Sequence, residues 1–511
     1  MLLRIDALAS APSLHDEADV RAIEQQAANS LPPHALMQRA GAGVARLVRA
    51  RFAHARRVLV LCGPGNNGGD GLVAAALLAG HGLAVTAVLV GGEATAQPRP
   101  DAAWALELAR AAGVQPRAWD AATDAASMRD ADLVVDALLG IGLRRPPSGS
   151  IADAVRAVLA CALPVLAVDV PSGIAADTGH APGAHIRATV TLTMLAAKPG
   201  LFTGQGAGAA GDVWLDDLGV VEPAPVASAR LFGAAQARAA LPPLAAAPHK
   251  GARGGVHVFG GASGMDGAAL LAARAALALG AGRVWCGFLD SDAPPLDPAW
   301  PELMIRTPAA MVAALEASAD DASRCVVFGP GAGRANGAHA VLSKLLALPC
   351  ALLIDADGLN LLAAQPRDGA TWRALRARGA PTWITPHPGE AANLLGRDAA
   401  DVQADRPGAA RALATFTGAT CVLKGAGSVV AAPSGDTWIN LGGNGLLATA
   451  GSGDVLSGAI AALLAQTRGA PAGGQAAVWL HGAAADRANA QRHALRVGTL
   501  GEAMAALRAA L

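Results

Sequence analysis

Two glycine-rich segments of this chain end on carboxylates, an arrangement suited to holding a phosphate or phosphoryl group beside a proton acceptor. In Asn444-Gly-Leu-Leu-Ala-Thr-Ala-Gly-Ser-Gly-Asp-Val-Leu-Ser-Gly, Gly451-Ser-Gly offers backbone amides before an apolar helix expected over 459–464, and Asp454 follows at once. A phosphoryl group held there would sit beside a carboxylate able to take the proton of an attacking hydroxyl. Helix capping by Asp454 is expected as well, but capping alone does not explain the run of small residues. Upstream, Thr420-Cys-Val-Leu-Lys-Gly-Ala-Gly-Ser reads as a strand followed by a lysine–glycine turn suited to a nucleotide phosphate. Strand Thr382-Trp-Ile-Thr ends in Pro386-His-Pro-Gly-Glu, which fixes His387 between prolines at a strand end, where ligand contact is favoured. Gly260–Ala268 and Phe328–Gly333 are further glycine turns on strand ends, and Asp355 and Asp357 either serve a metal or finish a strand.

The other segment lies in the first half. Strand Val58–Cys62 runs into Gly63-Pro-Gly-Asn-Asn-Gly-Gly-Asp-Gly and a helical segment from Leu72, so the turn can present N–H groups at a helix's positive end. Asn66, Asn67 and Asp70 supply more oxygen ligands than a turn requires. Strand Leu133–Ala137 carries Asp136 and leads into Gly140-Ile-Gly-Leu-Arg-Arg-Pro, where Arg144 or Arg145 could meet a phosphate. The next strand ends Ala167-Val-Asp-Val-Pro-Ser-Gly, placing Asp169 and Ser172 at a carboxyl end. Ligands of open parallel sheets bind outside those ends, so three polar strand ends are expected to share one cleft. Lys198 could neutralise phosphate, assist proton transfer, or stand in solvent at its Pro-Gly turn.

The elements that must position these groups alternate. Short apolar runs ending in glycine are separated by longer alanine- and leucine-rich segments, the pattern of parallel strands joined by helices, so both halves are expected to be α/β. First-half strands are expected at 58–62, 84–90, 133–137, 165–170, 188–194 and 213–215. Second-half strands are expected at 256–259, 283–288, 325–328, 350–354, 382–385 and 420–423. A length of 511 residues suits two cores, and the proline-bearing stretch Val221-Glu-Pro-Ala-Pro-Val places the break near 222, giving domains 1–222 and 223–511.

Composition narrows the partners. Forty basic residues balance 40 acidic ones, so no overall field favours nucleic acid or a membrane surface. The start MLLRIDALAS carries Arg4 and Asp6 and does not read as a secretory signal, and apolar stretches such as 268–282 are interrupted by Arg274, short of a membrane span. A cytoplasmic protein is expected. The six cysteines are far apart and sit mostly in apolar strand-like runs, which reads as buried reduced thiols rather than a zinc or redox site.

The ordered motifs carry a family resemblance. From about 20 to 218, Glu24, Leu36-Met-Gln-Arg-Ala-Gly, GPGNNGGDG, VDALLGIGLRRP, VDVPSG and Lys198-Pro-Gly-Leu resemble the NAD(P)H-hydrate epimerases. From about 240 to 508, HKGxRG at 249–254, Pro301-Glu-Leu-Met, FGPGAG, IDADGLN, TPHPGEAANLL, LKGAGS and TAGSGDVLSG resemble the ADP-dependent NAD(P)H-hydrate dehydratases. The resemblance implies two three-layer α/β/α domains, the first Rossmann-like and the second ribokinase-like. It implies that Asn66, Asn67, Gly68, Gly69, Asp70, Gly140, Ile141, Gly142, Leu143, Arg144, Arg145, Pro146 and Asp169 contact the hydrated dinucleotide. Asn67, Asp136 and Ser172 are implied to hold potassium, with Asp169 the acid/base. For the second half it implies hydrate contacts from Ala268, Gly333, His387 and Asp454, and ADP contacts from Lys424, Gly425, Ala426, Gly427, Ser428 and Gly453, with Asp454 the base and Mg²⁺ assisting. The departures Gly445-Leu446 and Ser428 remove no charged group. The hydrates of NADH and NADPH and ADP are the implied partners of a homo-oligomer. The competing reading is a ribokinase-like kinase of a vitamin alcohol fused to a non-catalytic nucleotide-binding module.

Overall fold

The computed structural model describes residues 2–5, 12–91, 100–220, 226–242, 250–318 and 321–511. The expected break near residue 222, and His249 of the 249–254 motif, lie outside them. The chain divides into two compact units, one containing Pro12–Arg230 and the other Leu231–Leu511.

In the first unit eight strands among the described residues form one sheet: β1 Leu2–Ile5, β2 Arg57–Cys62, β3 Ala84–Leu89, β4 Arg117–Ala118, β5 Leu133–Ala137, β6 Val165–Val168, β7 Val190–Met194 and β8 Asp212–Asp216. Their order is β1-β8-β7-β6-β5-β2-β3-β4, parallel throughout except for β1 against β8. Alternation along β2 shows why two helical layers are needed. Val58, Val60 and Cys62 pack with helices Ala35–Arg51 and Asn66–Gly80, whereas Leu59 and Leu61 pack with helix Gly149–Cys161. Because the strand after β2 in sequence lies on one side of it and β5 on the other, a crevice opens at the carboxyl ends of β2 and β5.

The second unit's sheet contains β9 Gly255–Gly260, β10 Arg283–Phe288, β11 Met304–Ile305, β12 Arg324–Phe328, β13 Ala351–Ile354, β14 Thr382–Ile384, β15 Thr420–Leu423, β16 Val429–Ala431 and β17 Thr437–Asn440. These run in the order β11-β10-β9-β12-β13-β14-β15-β16-β17, parallel as far as β15 and antiparallel beyond it. Val256 and Val258 face a core built with helices Asp266–Ala278, Ser452–Gln466 and Pro471–Ala490. The direction of chain progression reverses between β9 and β12, the two strands that carry the glycine turns of 260–268 and 329–333.

Two helix starts differ from expectation. The first helix of the glycine-rich segment begins at Asn66 rather than near Leu72, and the last motif's helix begins at Ser452 rather than near 459. The reason in the first case is close packing. A Cβ at Gly68 would lie 1.9 Å from the Gly63 carbonyl oxygen, and one at Gly71 would lie 2.6 Å from the Ala137 Cβ. These glycines let a helix press onto strand ends; they do not turn the chain. Five cysteines are buried and Cys161 is half-buried, all as free thiols. No helix among the described residues is long and apolar enough to cross a membrane.

Candidate active sites

In the first unit a cavity of about 370 Å³ opens at the β2–β5 crevice, lined by Asn66, Asn67, Asp70, Asp169 and Lys198 with Gly140, Ile141 and Gly142. Glu24, from helix Glu17–Ser30, joins them. Gly68, Gly69, Leu143, Arg144, Arg145 and Pro146 do not line it: the two glycines pack against Gly63 and Met37, and Arg144 donates to Glu17 at 3.1 Å from an exposed position. Asp101, which no motif marks, also lines the cavity, so Glu24, Asp70, Asp101 and Asp169 crowd one space. Burial, and then the charges of Asp169, Glu24 and Asp101, push the Asp70 carboxyl well above the usual carboxylate range.

Asp169 follows β6 in the left-handed region at φ 69°, a conformation a non-glycine residue adopts only when its surroundings impose it. Its backbone N–H donates to the Leu192 carbonyl at 2.7 Å, and its carboxylate receives the Met194 N–H at 3.3 Å. Lys198 is wholly buried and closes onto the Asp169 carboxylate, while its ammonium also donates to Thr193 Oγ1 at 3.0 Å and the Met194 carbonyl at 2.8 Å. A buried ammonium with three partners is fixed, which removes the solvent-exposed alternative for Lys198.

Beneath the cavity Asp136, at the end of β5, is wholly buried. It accepts from the Ser172 hydroxyl at 2.6 Å, the Ser172 N–H at 2.9 Å and the Leu138 N–H at 3.2 Å. Burial nonetheless raises its carboxyl to about 6, the hydrogen bonds only partly opposing the shift. Nearby, the Asn66 side-chain oxygen and the Asn67 side-chain nitrogen are buried without a hydrogen-bond partner. The Asp136 carboxylate, the Ser172 hydroxyl and the orphaned Asn66 oxygen are groups that suit a weakly hydrated cation, whereas the orphaned Asn67 atom is a donor nitrogen that cannot ligate one.

In the second unit a cavity of about 410 Å³ is lined by Ala268, Gly331, Asp357, Asn360, Glu390 and Asp454, among others. A neighbouring one of about 440 Å³ contains His387 and shares Asn360 and Glu390 with it. Asp454 lies in the first turn of helix Ser452–Gln466, entered through Gly451 at φ 89°. Burial and the negative charge of Asp355 raise its carboxyl to about 7; Lys424 opposes, while Glu390 and Asp357 add to the rise. A carboxyl so placed exchanges protons near neutrality.

Lys424 donates to Asp355 at 2.8 Å and lies 3.9 Å from Glu390, and Ser457 donates to the other Asp355 oxygen at 2.6 Å. Burial works to lower the Lys424 ammonium's pKa, but Asp355 and Glu390 outweigh it and hold it above the usual lysine range. With both oxygens engaged, Asp355 serves the lysine and finishes its strand. Asp357 Oδ2 accepts the Gly333 N–H at 2.9 Å, which pins that glycine turn. His387 caps helix Pro388–Leu395 by accepting at Nδ1 from the Gly389 N–H at 2.9 Å and the Glu390 N–H at 3.3 Å, while Glu390 accepts the His387 N–H at 2.7 Å. The Lys424–Ser428 turn rests on Arg406, a buried residue that sequence reading passed over. Its guanidinium donates to the carbonyls of Leu423 and Lys424, both at 3.2 Å. Gly425, at φ 137°, leaves room for it, since a Cβ there would lie 2.9 Å from the guanidinium nitrogens.

The two parts of the chain match two families. Residues 33–200 match the family described as the YjeF-related protein N-terminus, and residues 256–505 match the NAD(P)H-hydrate dehydratase family. The chain is 39% identical over 474 residues to the bifunctional NAD(P)H-hydrate repair enzyme Nnr of Escherichia coli, covering 92% of this chain and 88% of that one. To the enzyme of the same name from Coxiella burnetii it is 36% identical over 485 residues, covering 93% and 94%. Among solved structures, the ADP/ATP-dependent NAD(P)H-hydrate dehydratase of Bacillus subtilis, co-crystallised with ATP and Mg²⁺, is 30% identical and covers 52% of this chain and 93% of its own, with a TM-score of 0.45.

Proposed function

The chain belongs to the bifunctional NAD(P)H-hydrate repair enzymes, and from that premise we propose how its two sites divide the work. The first unit interconverts the two hydrate epimers, and the second dehydrates one of them at the expense of ADP, giving NADH or NADPH, AMP and phosphate.

In a hydrate, water has added to the nicotinamide ring beside the ring nitrogen. In the first unit the hydroxyl leaves with help from the nitrogen lone pair, a planar cation forms, and re-addition from the opposite face inverts the centre. The acidic lining of Glu24, Asp101 and Asp169 suits that cation, and Asp169 is the acid/base, held in place by Lys198. Asp136, Ser172 and Asn67, the last through its side-chain oxygen, are the residues that would hold a potassium ion, and the orphaned Asn66 oxygen is a further acceptor that fits one. The ion, when bound, supplies positive charge that favours ionised Asp136 and steadies the turn carrying Asn66 and Asn67.

In the second unit the hydroxyl oxygen attacks the terminal phosphorus of ADP, the bond to the bridging oxygen breaks, and AMP departs with that oxygen. Asp454 takes the hydroxyl proton. The phosphate ester leaves far more readily than hydroxide. Its departure, pushed by the nitrogen lone pair, followed by proton loss from the neighbouring carbon, restores the dihydropyridine. The Lys424–Ser428 turn and the amide of Gly453 hold the nucleotide phosphates. Asp357, which lines the cavity and keeps one oxygen outside its hydrogen bond to Gly333, is the side chain that would hold a Mg²⁺ ion, and the ion would supply positive charge against the nucleotide phosphates.

The observation carrying this reading is Asp454: a carboxyl at about 7 in the first turn of a helix, lining a cavity beside Lys424. The test is to incubate the purified chain with mixed hydrate epimers and ADP and follow the reduced-nicotinamide absorbance. Recovery from both epimers is expected. Recovery from one epimer alone leaves only the second site active, and a stable phosphorylated product in place of reduced dinucleotide would reverse the assignment in favour of a kinase.

A further inference from the structure

Helix Pro471–Ala490 contributes no residue to the functions assigned above, yet three of its residues are committed to the glycine-rich segment that ends on Asp454. His481 is buried, and its Nε2 lies 2.9 Å from the Ser452 carbonyl oxygen. A carbonyl only accepts, so the imidazole must donate from Nε2. Burial, aided by the charge of Lys424, pushes the imidazole's pKa down to about 4 against the pull of that bond, so the ring is neutral and its single N–H is spent here. Gly482 lies against the same segment, since a Cβ on it would come within 2.7 Å of the Gly442 carbonyl oxygen. Asp486 accepts the Gly443 N–H at 2.7 Å and the Asn444 side-chain amide at 2.8 Å. One helix therefore grips both ends of the stretch from Gly442 to Ser452.

We infer that His481 is a positioning residue for phosphoryl transfer: by holding the Ser452 carbonyl it fixes the Ser452–Gly453 peptide and so aims the Gly453 N–H at the transferring group. The inference rests on the reading of this turn as the nucleotide site. In a planar trans peptide the carbonyl and the following N–H point opposite ways, and this peptide is trans. Anchoring the oxygen toward the helix thus directs the Gly453 N–H away from it. On the Gly453 backbone a Cβ would stand 3.2 Å from the Lys424 ammonium, so the amide works beside the lysine that the nucleotide phosphates would meet. A peptide left free to rock about its neighbouring bonds would present that donor for only part of the time, and the transition state depends most on donors already in place.

Three variants of the full chain test this. His481→Gln keeps a donor at about the reach of Nε2, His481→Phe keeps the ring's bulk without a donor, and His481→Asn keeps an amide that falls short of the carbonyl. With ADP and the hydrate, the Phe and Asn variants should lose kcat by roughly tenfold to a hundredfold, less than the loss of a whole oxyanion donor. Their KM for the hydrate should stay within about threefold, and the Gln variant should keep most of the wild-type kcat. Epimer exchange should be unchanged in all three, which verifies the first unit, and an unchanged cooperative melt of the second unit verifies that the loss is not one of folding. If the Phe protein does not accumulate, the Asn and Gln pair decides the matter. Undiminished kcat in the Asn variant, or equal loss in Gln and Asn, overturns the proposal. A wild-type chain that exchanges epimers but regenerates no reduced dinucleotide would instead refute the function from which it starts.

Discussion

Lys424 donates to Asp355 at 2.8 Å, and the pair sits against the carboxylate that must take the substrate's proton. The two partners act on Asp454 in opposite directions, the aspartate raising its pKa and the lysine lowering it.

The pH dependence follows with a definite sign. A base must be deprotonated to act, and Asp454 stands at about 7, so kcat for dehydration should rise with pH and level off above neutrality. Asp355→Asn removes a raising charge and should move the midpoint to lower pH. Lys424→Met removes a lowering charge and should move it higher, besides weakening ADP. Profiles of kcat against pH check both shifts, and movement in the wrong direction would contradict the assignment. Asp454→Asn should lose about a hundredfold to ten-thousandfold in dehydration at any pH.

Asp169→Asn should suppress epimer exchange while leaving ADP-dependent dehydration of the correct epimer intact. Isotope exchange or chromatography of the two hydrates reads the first, and absorbance the second.

Lys198→Met strands Asp169 without its buried counter-ion, and a loss of about 3–5 kcal/mol in unfolding free energy is expected. Combining it with Asp169→Asn should return part of that loss. Denaturant titration of the two single variants and the double variant measures the coupling, and strict additivity would mean that the pair contributes nothing.

Ser172→Ala removes the hydroxyl that donates to buried Asp136 at 2.6 Å, for about 1–3 kcal/mol. Potassium should raise the melting temperature of the unaltered chain, increasingly with the logarithm of its concentration above the dissociation constant, and do so less for the variant. Equal stabilisation of both by potassium would remove Ser172 from the ion's ligands.

Gly425→Ala should destabilise the second unit and raise KM for ADP, because φ 137° and the Arg406 guanidinium leave no place for a methyl group. Thermal melts and ADP titration check the two effects.

Most of the parallel sheet was legible in advance because strands covered on both faces are continuous apolar runs; Leu133–Ala137, Arg283–Phe288 and Thr420–Leu423 have the expected bounds. The strands that escaped are short or antiparallel. Arg117–Ala118 has two residues, and Val429–Ala431 and Thr437–Asn440 pair across a hairpin, too brief for periodicity to speak. A glycine-rich run reads as a turn that opens a helix, which puts the helix start late, whereas Gly68 and Gly71 already belong to the helix and are there for close contact. The chemical groups announced themselves by their glycine surroundings, as Asp70, Asp169 and Asp454 did. Their supports did not. Arg406, His481 and Asp486 lie inside helices of ordinary composition, and only the fold reveals what each one holds.

Val455 through Ala465 are buried without a break behind Asp454. The proton acceptor therefore stands on a helix that cannot shift without disturbing the core of its unit, so the place of its carboxylate is inherited from packing and is set before any substrate arrives.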